Sequence, residues 1–104
     1  MKQENKRALT AEEVNRYLQS LYGWEQEGKY ITRRFYFEDW QDITGFMKHL
    51  ANSIEETNHH PDVILHTGTK TITVSTTTHS EGGLTMADIE LAKKLNEYKP
   101  IKSK

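Results

Sequence analysis

The sequence predicts an α+β domain: a four-stranded antiparallel sheet with three helices on one face, in the order α-β-β-α-β-β-α. Three features predict it. Two Thr-x-x-acid capping boxes, Thr10 with Glu13 and Thr85 with Asp88, each stand before apolar residues at helical spacing. A wide apolar stripe of Trp40, Ile43, Phe46, Met47, Leu50 and Ile54 marks a long central helix. Residues 70–78 alternate, with Ile72 and Val74 on one side and Thr71, Thr73, Ser75 and Thr77 on the other. A sheet with one apolar and one hydroxyl-rich face carries its helices on one side only.

The elements follow in order. Residues 1–9 and 99–104 read as loose, polar ends, the second closed by Pro100. The first helix starts after Thr10, places Val14, Tyr17, Leu18 and Leu21 on one face, and stops at Gly23. Trp24 to Glu38 reads as two strands around a turn at Glu27-Gly28-Lys29. In the second strand Ile31, Phe35 and Phe37 share a face with Arg33, so the apolar side is imperfect. The central helix begins near Asp39 and ends near Asn58, ahead of His59-His60-Pro61. Asp62 to Gly68 is a short extended piece and a turn, and Lys70 to Thr78 is the clearest strand. Glu81-Gly82-Gly83 turns the chain into the last helix, whose inner face holds Ile89, Ala92 and Leu95.

One domain accounts for all 104 residues, with an ordered core over about 10–98. Only 35% of the residues are hydrophobic, so the core is small and a second subunit would usefully bury more. The net charge is −1 and the charges are interspersed, which predicts no nucleic-acid partner. The chain has no cysteine, which excludes disulfides, thiolate nucleophiles and cysteine zinc sites. No signal peptide and no membrane span are read, and the expected location is the cytoplasm.

The chemistry points to histidine. Three of the five histidines, His59, His60 and His79, bracket the last two strands. Histidine gives and takes protons near neutral pH. Pro61 disfavours the helical conformation at His60, so the helix ends there or earlier. Two adjacent histidines leaving a helix end can then reach neighbouring parts of one pocket, whereas on a strand they would point to opposite faces.

Glu55-x-x-x-His59-His60-Pro61, followed by His79 and Asp88, resembles the signature of the pterin-4a-carbinolamine dehydratases. Gly45-Phe46-Met47 and the run from Thr78 through His79, Ser80, Gly82, Gly83 and Leu84 to Thr85 are similar to recurrent family segments, as are Trp24 and Phe35-x-Phe37. The resemblance covers roughly residues 10–98. It implies the fold read above and dehydration of a 4a-hydroxytetrahydropterin to the quinonoid dihydropterin in tetrahydrobiopterin recycling. It implies His59, His60 and His79 as the catalytic acids and bases, Glu55 and Asp88 as supporting carboxylates, and Asn58, Pro61, Thr77, Thr78 and Ser80 at the pterin. It implies no cofactor, and a homo-oligomer, dimer or tetramer. It admits an aromatic amino acid hydroxylase as functional partner. One position departs from the family: Thr69 stands where an aromatic residue is usual, ten positions before His79.

Each residue also has a plain structural reading. Asp88 is the N3 member of a capping box, Glu55 a solvated helix charge, and His49 and His66 surface or packing residues. Three histidines with a carboxylate could hold zinc, but adjacent His59 and His60 lack the i, i+4 spacing of a helical zinc site, so the expectation is no metal. Animal members of the family also serve as a dimerisation cofactor for a transcription factor. A non-catalytic pterin-binding or protein-binding role is therefore the alternative.

Overall fold

The computed structural model describes residues 7–99. The helices are α1 (Ala11–Leu18), α2 (Trp40–Thr57) and α3 (Met86–Asn96). The strands are β1 (Glu25–Glu27), β2 (Tyr30–Tyr36), β3 (Asp62–His66) and β4 (Thr71–Thr76). A single 3-10 turn, His79–Glu81, precedes α3. The order α-β-β-α-β-β-α is the one the sequence predicts.

All strand pairs are antiparallel and the sheet order is β1-β2-β4-β3. β1 and β2 meet at a two-residue loop, Gly28-Lys29, where Glu27 pairs with Tyr30. Gly28 has φ 62°, and it is the position that a type II′ hairpin turn reserves for glycine. β2 and β4 form the centre. Their register sets Ile31 opposite Thr76 and Phe35 opposite Ile72. Ile31, Phe35, Ile72 and Val74 are buried under the helices. Phe46 of α2 is fully buried and lies 4.5 Å from the Phe35 ring and 5.4 Å from those of Phe37 and Tyr98. These aromatic contacts add to area burial and fix how α2 sits on the sheet.

Both capping boxes are present. The Thr10 hydroxyl accepts from Glu13 N–H and the Glu13 carboxylate accepts from Thr10 N–H. Thr85 and Asp88 do the same for α3. Asp39 caps α2, its carboxylate accepting from Asp42 N–H at 3.1 Å. Each cap contributes about 1 kcal/mol.

Several boundaries differ from the sequence reading. α1 ends at Leu18, and Leu21, though buried, sits in the tight turn that follows, closed by N–H groups of Ser20 and Leu21 reaching back three residues. Leu9 is not a loose end: its N–H donates to Leu84 O at 2.7 Å and its side chain packs on the core. β4 begins at Thr71 because Lys70 is left-handed, φ 53°, and ends at Thr76. Of the predicted loose ends 1–9 and 99–104, residues 1–6 and 100–104, Pro100 among them, lie outside the described residues.

The odd member of the apolar face, Arg33, leaves it at the end of α3. Its guanidinium stacks 4.2 Å from the Phe35 ring centre and donates to Asn96 Oδ1 at 2.6 Å. The same oxygen accepts from Trp24 Nε1–H at 2.8 Å, so a polar side chain is accommodated without an unpaired buried atom. Gly23 makes room for it. A Cβ there would stand 2.6 Å from Arg33 Nε, on a backbone with φ 85°. Gly23→Ala is therefore expected to cost about 1–3 kcal/mol, measured by urea denaturation; an unchanged midpoint would contradict the packing described.

Candidate active site

Helix α2 ends at Asn58, which adopts the left-handed conformation, φ 54° and ψ 36°, while its N–H donates to Ile54 O at 2.8 Å. Asparagine tolerates this conformation better than most residues. The turn delivers His59-His60-Pro61 between α2 and β3. The second contributor is the chain leaving β4. There Thr78 bridges to Gly83, His79–Glu81 forms the 3-10 turn, and Gly82 closes it at φ 74°. Thr85 then starts α3.

These segments meet at Asp88, which is fully buried. Its Oδ1 accepts from His59 Nε2 at 2.6 Å and from the Thr76 hydroxyl at 2.7 Å. Its Oδ2 accepts from the Thr78 hydroxyl at 2.8 Å and from Thr85 N–H at 2.9 Å. Thr76, Thr78 and Thr85 N–H donate to it, and an ionised carboxylate makes His59 Nε2 the fourth donor. Burial pushes the Asp88 carboxyl up. The donors, His59, Thr76, Thr85 N–H and Thr78, outweigh it and hold the group below the usual aspartate range.

The proton positions follow. Thr78 has one hydroxyl proton, given to Asp88, so the Thr85 hydroxyl donates to Thr78 at 2.9 Å. Thr85 Oγ1 accepts in turn from Ala87 N–H at 3.1 Å. Facing the carboxylate, His59 Nε2 is the donor, and Nδ1 lies outside that bond.

The three predicted histidines are held differently. His59 is buried and bonded. His60 and His79 are exposed. His79 packs edge-on against Tyr30, ring centres 6.1 Å apart. Each exposed histidine is the chain neighbour of a residue bonded to Asp88: His60 of His59 on Oδ1, His79 of Thr78 on Oδ2. Glu55 lies exposed on the last turn of α2 with no ion pair among the described residues. Asn58 and Ser80 are exposed and Pro61 is half-buried. Thr77 and Thr78 are buried, and their hydroxyl protons are committed inside the protein, to Lys29 O and to Asp88. Thr69 sits exposed in the turn between β3 and β4. His49 is a packing residue, bonded through Nε2 to Lys94 O at 2.6 Å, and His66 is exposed at the end of β3. Among the described residues no three His, Asp or Glu side chains are grouped to hold a metal ion.

The sequence reading passed over Thr76 and Tyr30. Thr76 carried a signal: it shares parity with Ile72 and Val74, and a hydroxyl on a buried apolar face requires a partner.

Residues 7–98 match the family described as pterin 4 alpha carbinolamine dehydratase. The chain belongs to that family. A protein of Aquifex aeolicus assigned as a pterin-4-alpha-carbinolamine dehydratase is 40% identical over 91 residues, 88% of this chain and 90% of that one. One of Sulfurisphaera tokodaii with the same assignment is 36% identical over 89 residues, 86% of this chain and 94% of that one. The crystal structure of a transcriptional coactivator/pterin dehydratase from Brucella melitensis superimposes with a TM-score of 0.80 at 37% identity, covering 86% of this chain and 96% of that one. The pterin carbinolamine dehydratase fold is thus the one seen here, and the Asp88 network lies within the matched region.

Because Asp88 has a lower pKa folded than unfolded, the unfolded chain binds the extra proton in acid. The stability from Asp88 is whole above the ordinary aspartate pKa of about 4 and drains as pH falls below it. Asp88→Asn removes the charge and turns an amide N–H₂ toward existing donors, for an expected loss of about 2–5 kcal/mol at pH 7. Urea midpoints measured from pH 7 down to pH 3 should fall less steeply in the variant; parallel curves would remove Asp88 from the acid response.

Proposed function

We propose that this chain dehydrates 4a-hydroxytetrahydropterin to the quinonoid dihydropterin by histidine acid–base catalysis, as a cytoplasmic enzyme of tetrahydrobiopterin recycling. Membership of the dehydratase family supports the reaction class. The observation that carries the mechanism is the buried His59–Asp88 bond, with His60 and His79 each one residue from the same network.

In the reaction the ring nitrogen beside the carbinol carbon supplies its lone pair, a carbon–nitrogen double bond forms, and the carbon–oxygen bond breaks. One histidine protonates the departing hydroxyl, which leaves as water. Another takes the nitrogen's proton. His60 and His79, both exposed, are assigned these transfers. His59, tethered through Nε2, is assigned to orient the pterin. Glu55 lies on the α2 turn that precedes the histidines and supports them, while Asn58, Pro61, Thr77, Thr78 and Ser80 border the substrate. The step needs no cofactor and no metal. The substrate itself is the product of a hydroxylating enzyme, and an aromatic amino acid hydroxylase is the functional partner this implies.

The protein acts as a homo-oligomer in this reading. β3 is an edge strand with Val63, Ile64 and Leu65 at 41, 54 and 37% exposure, and Trp40 and Met47 are exposed on α2. An open apolar edge of this kind is normally covered. Sedimentation at micromolar concentration should show a dimer or tetramer; a 12.1 kDa species would oppose it. A second reading, protein binding without catalysis, draws on the coactivator named in the Brucella melitensis relative.

Kinetics separate the two readings. With the uncatalysed dehydration subtracted, His60→Ala or His79→Ala should lower kcat by roughly 10²–10⁴-fold. Affinity for an unreactive dihydropterin should fall far less. Variants with full kcat and lost pterin affinity would make the histidines a binding wall instead.

A further inference from the structure

β2 is longer than the strand beside it. β1 pairs only with Tyr30 to Thr32, so from Arg33 to Tyr36 that edge has no neighbouring strand. Parity decides which main-chain groups face the opening. Phe37 N–H donates to Lys70 O, on the β4 side. Direction alternates along an antiparallel strand, so Phe35 and Arg33 also turn toward β4. Arg34 and Tyr36 turn the other way. Their two N–H and two C=O groups point out of the sheet with no strand to meet them.

Cavities lie on both sides of this edge. One of about 340 Å³ is lined by Tyr22, Gly23 and Arg34, and one of about 170 Å³ by Phe37, Leu95 and Tyr98. Arg33 and Tyr36 line both, so the two are parts of one groove. An added strand would send alternate side chains into one cavity and the other. Tyr22 and Tyr36, 81 and 74% exposed, supply aromatic walls.

The groove is also short of negative charge. Arg33 Nη1 donates to Tyr22 O at 3.2 Å and to Asn96 Oδ1, both neutral acceptors. Its Nε and Nη2 have no acceptor among the described residues. No buried side-chain nitrogen there is unpaired, so these N–H groups open to the groove. Arg34 is adjacent, 3.8 Å from Glu27. The single acid lining the larger cavity, Glu25, forms no ion pair with either arginine.

We propose that the open edge of β2 docks an extended acidic peptide segment of a partner protein. The segment adds a strand beside Arg34 and Tyr36 and gives a carboxylate to the free face of Arg33. A free phosphate would satisfy the arginine and leave the four main-chain groups unused. A second copy of this chain pairing β2 with β2 would set arginines against arginines. An extended segment with a central carboxylate answers both features at once.

The test uses two synthetic peptides, the acetylated and amidated heptamers Thr-Val-Thr-Glu-Thr-Val-Thr and its Gln counterpart, titrated into the whole protein and followed by NMR. At saturation the Arg34 and Tyr36 amides should exchange at least tenfold more slowly, and the Gln peptide should bind at least fivefold more weakly. Arg33→Met should erase that difference. Tyr36→Pro removes an outward N–H and no internal sheet bond, so it should keep the fold and abolish binding. If that variant misfolds, the exchange data and Arg33→Met still decide. Absence of peptide binding, equal binding of the two peptides, or binding without protection of Arg34 and Tyr36 overturns the proposal. So does inorganic phosphate perturbing Arg33 where the peptide does not, or Tyr36→Pro changing the sedimenting mass, which gives the edge to small anions or to a second copy.

Discussion

An ionised carboxylate without solvent contact is stable only while its lone pairs are matched by donors. Asp88 meets that condition with four, drawn from the end of α2, from β4, from the chain leaving β4 and from the start of α3. Each donor fixes the position of its own segment relative to the others. The residue completes a helix cap and orients a histidine with the same two oxygens. The helix cap and the histidine contact of Asp88 are therefore one arrangement.

A second polar device works at the opposite end of the core. Asn96 Oδ1 accepts from both Trp24 and Arg33, and Asn96 Nδ2 donates to Tyr22 O at 3.1 Å. The last turn of α3 is thereby tied to β2 and to the turn after α1. Between the two devices lies the apolar and aromatic core, with Phe46 at the centre, and α2 is also joined to α3 by His49 Nε2 on Lys94 O and by the Lys94–Glu56 ion pair.

Most of the architecture was legible because local signals agreed with global packing. Thr10 and Thr85 begin helices where their capping boxes place them, and Ile72 and Val74 face the core as their alternation requires. What escaped was set by tertiary contact. Leu21 continues the helical spacing of α1 but is buried from a turn. Leu9 looks like part of a polar end until Leu84 offers it a carbonyl. The 3-10 turn at His79 has no sequence period to announce it. At the candidate site, the histidines and Asp88 were named through the family resemblance of their segments, which does not say which ring nitrogen is engaged. Thr76 was readable in principle, as a hydroxyl of core parity. Tyr30 was not, since its contact with His79 joins the start of β2 to the chain leaving β4, far apart in sequence.

The four bonds to Asp88 differ in how far along the chain they reach: 3 residues to Thr85, 10 to Thr78, 12 to Thr76 and 29 to His59. Closing a longer loop costs more chain entropy, and distant contacts tend to form late. The segment from β4 to α3 holds three of the donors, whereas His59 comes from the far side of β3 at the end of α2. The histidine is thus the donor whose bond closes the longest loop. The network therefore draws on both halves of the domain and is complete only in the whole fold.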